Sequence, residues 1–265
     1  ETEQRLLAES QRDRATAAEQ EADTRRAQAE AVTGFLRDML TSIQPARAKG
    51  REITVRDILD EASKTIGARL EAQPLIQAEV RNVIAWTYRE MGMFREAIPH
   101  WESVMEILRR ERGAEHPEVL ETTDPLGDAY WHAGVAEKGV ELLESSLSVA
   151  RRTLGDRDPL TLRLMANLGS IHQSQGRYLV AQPLMEQAVD GFQEHFGEND
   201  HRTIDAMANL AALYDGQGRR DEAFALFRRA LVFRRRVHGD ENLVTNWTMI
   251  RVARMCLDRK ELDEA

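Results

Sequence analysis

The sequence has 265 residues, 42% of them hydrophobic, and a formal net charge of −9. The negative charge argues against nucleic acid as a partner, because phosphate binding requires a basic surface. A single cysteine, Cys256, excludes an internal disulfide and a cysteine-based zinc site. No apolar run reaches the roughly 18 residues that a membrane span requires. We therefore expect the residues present to be soluble, and nothing in them indicates a compartment.

Residues 1–48 differ from the rest of the chain. Glu1–Ala31 is rich in Ala, Glu, Gln and Arg and has no Gly or Pro, which predicts a long charged helix. Alanines at heptad spacing give this helix a thin apolar stripe, so residues 1–40 either form a solvated connector or pair as a weak coiled coil in a homodimer. The connector is favoured because alanine buries little area. The stripe thickens over Val32–Leu40, and we expect this end to dock on the helices that follow.

Residues 51–73 predict a capping helix. It is expected to begin at Thr54 or an immediate neighbour and to end near Gln73–Pro74. One face carries the apolar residues Val55, Ile58, Leu59, Ala62, Ile66 and Leu70. The segment lacks the pattern of the residues after it, and we expect it to cover the apolar side of the first repeat.

Residues 74–265 repeat with a period of 42 residues. One ladder of glycines has this spacing at positions 92, 134, 176 and 218, and a second has it at 113, 155, 197 and 239. Two glycines per period mark the ends of two helices, so the period predicts an all-α stack of helical hairpins. There are four full units and the start of a fifth, and we expect the chain to be a piece of a longer protein with further repeats.

The period also predicts where the helices lie. First helices are expected at about 75–91, 117–133, 159–175, 201–217 and 243–258, and second helices at about 94–111, 136–153, 178–195 and 220–237. Each first helix follows a polar capping residue: His116, Asp158, Asp200 or Asn242. Pro125 stands where later units have asparagine, and predicts a kink near Thr122–Asp124.

Periodic packing explains the apolar positions without a cofactor. Small residues such as Gly169 and Ala181 recur between larger ones, which occupy one register as Trp101, Leu143, Met185 and Phe227. This alternation is typical of knob-and-hole packing between hairpins. Cys256 and His172 fall where other units have tyrosine, so both are expected in the core.

The repeat resembles the 42-residue tetratricopeptide repeat found in kinesin light chains and many bacterial proteins. The matching residues are Thr161-Leu162, Asn167-Leu168 and Gln175-Gly176-Arg177-Tyr178 in one unit, and Thr203-Ile204, Asn209-Leu210, Gln217-Gly218-Arg219 and Glu222-Ala223 in the next. The resemblance implies a right-handed α-solenoid whose concave inner groove is lined by the first helices. It further implies that the groove binds a peptide or a helix of a partner protein.

The candidate groove residues follow from that resemblance. They are Asn82 and Trp86 in the first unit, Asp124, Asp128 and Trp131 in the second, Arg163, Asn167, Ser170 and Gln173 in the third, Asp205 and Asn209 in the fourth, and Arg251 in the fifth. Asn167 and Asn209 match the family's peptide-contacting asparagines. Replacing both by alanine is expected to weaken ligand capture without lowering the melting temperature. Alternatively, both amides are solvated or bond to neighbouring helices.

The carboxylate clamp of chaperone-binding repeats is not assembled. One of its key positions holds Glu79, Glu121, Arg163, Asp205 and Trp247 in successive units, and this charge is wrong for a carboxylate ligand. The seven histidines are scattered, and no nucleophile or phosphate-loop motif is present. We therefore predict a non-catalytic interaction module without a cofactor or metal site.

A looser resemblance concerns the order of segments. A charged helix, the sequence AEAVTGFLRDML, the sequence REITVRDILDEA and then repeats are similar to the carboxy-terminal region of bacterial serine/threonine protein kinases. This implies an alternative function as a sensory or regulatory region of such a kinase, whose anchored catalytic part is not in this chain. No glycine-rich loop, His-Arg-Asp or Asp-Phe-Gly motif is present.

Overall fold

The computed structural model describes residues 54–259, together with Arg26, Glu30, residues 32–35 and Arg37. The described residues form helices and no strand. The helices are Val55–Arg69 (α1), Pro74–Glu90 (α2), Phe94–Arg112 (α3), Pro117–His132 (α4), Ala136–Thr153 (α5), Pro159–Ser174 (α6), Tyr178–Phe196 (α7), His201–Gly216 (α8), Arg220–His238 (α9) and Leu243–Arg259 (α10). The predicted all-α fold of helical hairpins is confirmed, and the bounds of α2–α10 agree with the period to within one residue.

The ends of the helices follow from local chemistry. Asp158 accepts a hydrogen bond from the Leu160 amide at 2.8 Å, and Asp200 accepts one from the Arg202 amide at 2.9 Å. Such side chains satisfy amides that have no partner inside the helix. Helix α7 ends at Phe196 and is capped by Gly197, whose φ of 85° lies in the region that glycine adopts most cheaply. These caps fix the register of the repeat.

The chain divides into two compact units, residues 1–111 and residues 112–265. The first contains α1, α2 and most of α3. Helix α1 begins next to Thr54, as expected, and Thr54 caps it through a capping box with Asp57. The helix ends at Arg69, four residues before the predicted end, because Glu71 and Ala72 form a turn ahead of Pro74.

Helix α1 packs on the hairpin of α2 and α3. The Tyr88 hydroxyl donates to Asp60 at 2.7 Å, and the Ser63 hydroxyl lies 2.9 Å from His100 Nε2. In the preceding segment Phe35 is buried. The predicted charged helix over residues 1–48 and its coiled-coil pairing otherwise lie outside the described residues.

A buried histidine makes the stability of the first unit pH-dependent. His100 is 4% exposed, and its Nδ1 has no hydrogen-bond partner among the described residues. Burial, and then the charge of Arg81, lowers the pKa of His100 to about 4. The groups that face the ring are Ser63, Arg81 and Tyr88. The unfolded chain takes up a proton near pH 6.5, so it binds more protons than the folded chain between pH 6.5 and 4. Stability is therefore lost as the pH falls through this window.

Replacing His100 by leucine is expected to remove this pH dependence. Leucine occupies the equivalent positions 142, 184 and 226 of the later units, so the variant follows the repeat. Its advantage over the wild type in free energy of unfolding should grow by about 3 kcal/mol between pH 7 and pH 4. Urea unfolding at several pH values measures this, and parallel pH profiles would contradict it.

The second unit contains α4–α10 around a continuous apolar core. A Cβ atom added to Gly127 would lie 2.9 Å from Leu143, and one added to Gly169 would lie 2.7 Å from Met185. In these two units a large residue of the second helix thus fills the space above a small residue of the first helix of the same hairpin, whereas the prediction placed this packing between adjacent hairpins. Cys256 is buried as expected. Helix α4 continues through Pro125, and the predicted kink stays a prediction.

Candidate peptide-binding surface

Within the second unit, the first helices lie side by side. Helix α4 contacts α6, and α6 contacts α8; Arg251 of α10 reaches Asp215 of α8 at 3.6 Å. We call their polar side the first-helix surface. It consists of Glu121, Asp124, Asp128 and Trp131 of α4, Arg163, Asn167, Ser170, Gln173 and Ser174 of α6, Asp205, Asn209 and Asp215 of α8, and Trp247, Arg251 and Arg254 of α10.

Three of the predicted groove residues meet between α4 and α6. Arg163 Nε lies 3.0 Å from Asp124 Oδ2, and the Asn167 amide donates to Asp124 Oδ1. Asp124 has a side chain only 20% exposed, and a carboxylate held there by two donors is well stabilised. The Asn167 amide nitrogen is therefore engaged within the protein, which the sequence left open.

Trp131 bridges the same two helices. Its indole Nε1 donates to Ser174 Oγ at 3.0 Å, while the residue remains 39% exposed. Ser174 and Ser170 donate their hydroxyls to carbonyl groups of α6, namely those of Ile171 and Ala166. Sequence reasoning did not anticipate the Trp131–Ser174 bond. The two residues are 43 positions apart in the sequence, one more than the period, and this spacing is the signal by which the bond could have been found.

At α8 and α10 the surface is held by arginines. Arg234 of α9 donates to Asp205 at 2.7 Å, so this predicted groove residue also ties α8 to α9. The Arg251 guanidinium lies 4.9 Å from the centre of the Trp247 ring. Asn209 is exposed and makes no side-chain hydrogen bond among the described residues. Gln173 is half-buried and likewise has no side-chain partner there.

The two predicted groove residues of the first unit, Asn82 and Trp86, both contact the buried Trp101. Asn82 Oδ1 accepts a hydrogen bond from Trp101 Nε1 at 2.9 Å. Trp86 is 41% exposed, meets the Trp101 ring edge-to-face at 5.6 Å, and lies under the guanidinium of Arg89. Asn82 therefore stabilises the hairpin of α2 and α3, and Trp86 is only partly exposed at its surface.

The two asparagines of the repeat should respond differently to replacement. Asn167→Ala removes a hydrogen bond to a half-buried carboxylate and is expected to lower the free energy of unfolding by about 1 kcal/mol. Asn209→Ala removes no side-chain hydrogen bond among the described residues and is expected to change the free energy of unfolding by less than about 0.5 kcal/mol. Urea unfolding of the two variants tests this. Equal losses of free energy of unfolding in the two variants would contradict this prediction, because they would show that both amides stabilise the fold to the same extent.

A separate open groove lies between the second helices α5 and α7. Its volume is about 540 Å³, and its lining consists of Glu144, Leu147, Ser148, Arg151, Arg152, Leu168 and Leu184. Arg151 pairs with Asp156 at 3.0 Å, and Arg152 pairs with Glu115. Both arginines are thus neutralised within the protein.

Two kinds of feature, a metal-ion cluster and a membrane-spanning helix, are absent from the part of the chain that the structure describes. Over residues 54–259 and the few earlier described positions, no three histidine, cysteine or acidic residues are grouped to hold a metal ion. In the same residues, no helix combines the length and apolarity needed to cross a bilayer.

Family comparison agrees with the geometry. A tetratricopeptide repeat model matches residues 121–194, 167–231 and 203–265, which together exceed half of the chain. A second tetratricopeptide repeat model matches residues 77–118. The chain belongs to the tetratricopeptide repeat family. Tetratricopeptide repeats are generally non-catalytic scaffolds for protein–protein interaction.

Solved structures show the same fold. A putative kinesin light chain with nearly identical TPR-like repeats from Podosopora anserina is 24% identical over 72% of this chain and 91% of its own, with a TM-score of 0.60. BtubC (BKLC) from P. vanneervenii is 19% identical over 90% of this chain and 87% of its own, with a TM-score of 0.61. At these identities the likeness concerns the fold alone. A search of curated proteins found no match.

Proposed function

We propose that this tetratricopeptide repeat protein is a non-catalytic interaction module that holds an extended peptide or a helix of a partner protein on its first-helix surface. The observation that carries the proposal is Asn209, an exposed side-chain amide without a partner in the described structure, in register with Asn167 on the neighbouring helix. An amide both donates and accepts, so it can bond to the backbone of a peptide whatever the peptide's side chains.

Other residues of the first-helix surface favour a peptide over a small molecule. Trp131 and Trp247 are both about two-fifths exposed. Aromatic side chains of this kind are the usual anchors of a protein interface. Ser170, Gln173 and Arg254 add polar groups on the first helices α6 and α10. A polar surface with separated aromatic anchors suits an elongated ligand rather than a compact one.

Display selection tests the proposal. Random 12-residue peptides would be selected on the immobilised protein, residues 1–265, and their affinities measured by fluorescence anisotropy. Asn209→Ala is expected to weaken the retained peptides about tenfold, which is the factor for one or two lost backbone hydrogen bonds. Asn199→Ala, in an exposed turn of the same unit, is the matched control and should leave the affinity unchanged. Peptides that are indifferent to Asn209 would contradict the proposal.

The two alternatives remain predictions. A regulatory role in a serine/threonine kinase depends on the order of segments alone, and whether the gene also encodes a kinase domain would decide it. Self-association through residues 1–40 requires a dimer, and light scattering of the full chain would contradict it by giving a monomer mass.

A further inference from the structure

The hairpin of α6 and α7 is joined to the hairpin of α8 and α9 by two side-chain hydrogen bonds. The Tyr214 hydroxyl of α8 donates to Glu186 of α7 at 2.8 Å. The Gln217 amide, directly after α8, donates to Gln182 of α7 at 2.9 Å. Each bond connects a first helix to the second helix of the preceding repeat, so the two bonds together hold the neighbouring hairpins in one relative position.

One period earlier, between the hairpin of α4 and α5 and that of α6 and α7, the first of these bonds is missing. His172 stands at the register of Tyr214, and Glu144 stands at the register of Glu186. The imidazole ring is shorter than a phenol, and its Nε2 lies 3.9 Å from the Glu144 carboxylate, which is too far for a hydrogen bond. Where tyrosine occupies the same register at Tyr88, its hydroxyl reaches a carboxylate at 2.7 Å.

The second bond is missing at this junction as well. Gln175 stands at the register of Gln217, but the register of Gln182 is occupied by Val140, whose side chain offers no acceptor. The Gln175 Oε1 and both ring nitrogens of His172 are buried and have no hydrogen-bond partner among the described residues, although the two side chains lie next to each other. Buried polar groups without partners destabilise the closed packing relative to an arrangement that admits water.

The same junction is bonded along one edge only. On the first-helix surface, α4 and α6 are connected by the ion pair and the two hydrogen bonds described above. On the other side, α5 and α7 share a single hydrogen bond in the described part of the chain, from Arg151 to Gln187 at 3.5 Å. The groove of about 540 Å³ lies between these two helices. A junction bonded along one edge and open along the other can turn about the bonded edge.

We propose that the junction between the hairpin of α4 and α5 and the hairpin of α6 and α7 is a hinge. It opens at the groove between α5 and α7 and pivots on the bonds between α4 and α6. Opening gives His172 and Gln175 access to water, which partly offsets the exposure of apolar surface. Because α4 and α6 carry part of the first-helix surface, the motion changes the angle between their exposed faces. The inference goes beyond the proposed function and stands whether or not a peptide binds.

Pairs of spin labels measure the motion. Ser148, Asp190 and Val232 are exposed positions of α5, α7 and α9 at one register. In the protein of residues 1–265, Ser148→Cys with Asp190→Cys spans the proposed hinge, and Asp190→Cys with Val232→Cys spans the next junction. The native Cys256 is buried and stays unlabelled. The distance distribution of the first pair should be the wider one, and equal widths would overturn the inference.

Exchanging the two residues of this register tests the cause. His172→Tyr should form the missing bond to Glu144 and narrow the first distance distribution to the width of the second. Tyr214→His should widen the second distribution in the same way, because it removes the bond to Glu186. A first distribution that His172→Tyr leaves unchanged would overturn the inference.

Thiol labelling separates a hinge from a general gain in stability. Leu147→Cys places a buried thiol at the groove, and Val189→Cys places a buried thiol at the same register of α7. Adding His172→Tyr should slow maleimide labelling of Leu147→Cys about tenfold, which is the factor for one added hydrogen bond to a charged group. Labelling of Val189→Cys should be nearly unchanged. Equal slowing at both positions would show that the tyrosine stabilises the whole second unit, and would overturn the inference.

Discussion

Replacing Phe227 by alanine is expected to lower the free energy of unfolding of the second unit by about 3–5 kcal/mol, the range for large aromatic residues cut back in a core. Phe227 is fully buried in α9 and meets the Trp247 ring edge-to-face at 5.9 Å. It occupies the register that holds Leu143 and Met185 in the two preceding units. The loss should fall on α8, α9 and α10, because each hairpin of a repeat array contacts only its neighbours.

Urea unfolding followed by far-ultraviolet circular dichroism measures the effect. Val232→Ala on the same helix is the control, because Val232 is 71% exposed, and it should change the free energy by less than about 0.5 kcal/mol. Hydrogen exchange would locate the loss. A Phe227→Ala variant as stable as the Val232→Ala variant would contradict the packing described for this register.

Replacing Arg234 by alanine is expected to cost about 2–3 kcal/mol. The guanidinium is buried in α9 and donates to Thr248 of α10 at 2.6 Å as well as to Asp205 of α8. It therefore connects three helices through one side chain. The loss should stay below the largest values for buried ion pairs, because the Asp205 side chain is 59% exposed and is solvated when the arginine is gone.

Two further variants separate the causes of this loss. Arg234→Lys keeps the charge but not the two-armed geometry and should recover only part of the stability. Arg236→Ala, exposed on the same helix, should have little effect. If lysine restores full stability, then charge alone matters and the bond to Thr248 contributes nothing.

The sequence predicted the helices well because their ends depend on local chemistry. A capping residue such as Asp158 and a glycine such as Gly197 fix one boundary each, and the period repeats them. The sequence also placed Trp131 and Asn209 on the exposed side of first helices, since a fixed offset from the turn determines which face a residue occupies.

The contacts between helices could not be read from the period. Asn167 and Asp124 are 43 residues apart and Arg163 and Asp124 are 39 apart, so their pairing depends on how the helices are offset. The packing around Gly191 in the core could not be predicted from the period either. Neighbouring units have Val149 and Phe233 at this position, and here Leu162 fills the space, since an added Cβ would lie 2.4 Å from it.

Protection of single cysteines tests most directly whether partners bind the first-helix surface. Cys256 is buried, so maleimide labelling would report on an introduced thiol. Gln173→Cys places one on the first-helix surface, and Ser148→Cys places one at the groove between α5 and α7. With a selected peptide at about ten times its Kd, labelling of the Gln173→Cys variant should slow about tenfold while that of the Ser148→Cys variant is unchanged. Protection of the Ser148→Cys variant alone would contradict the account.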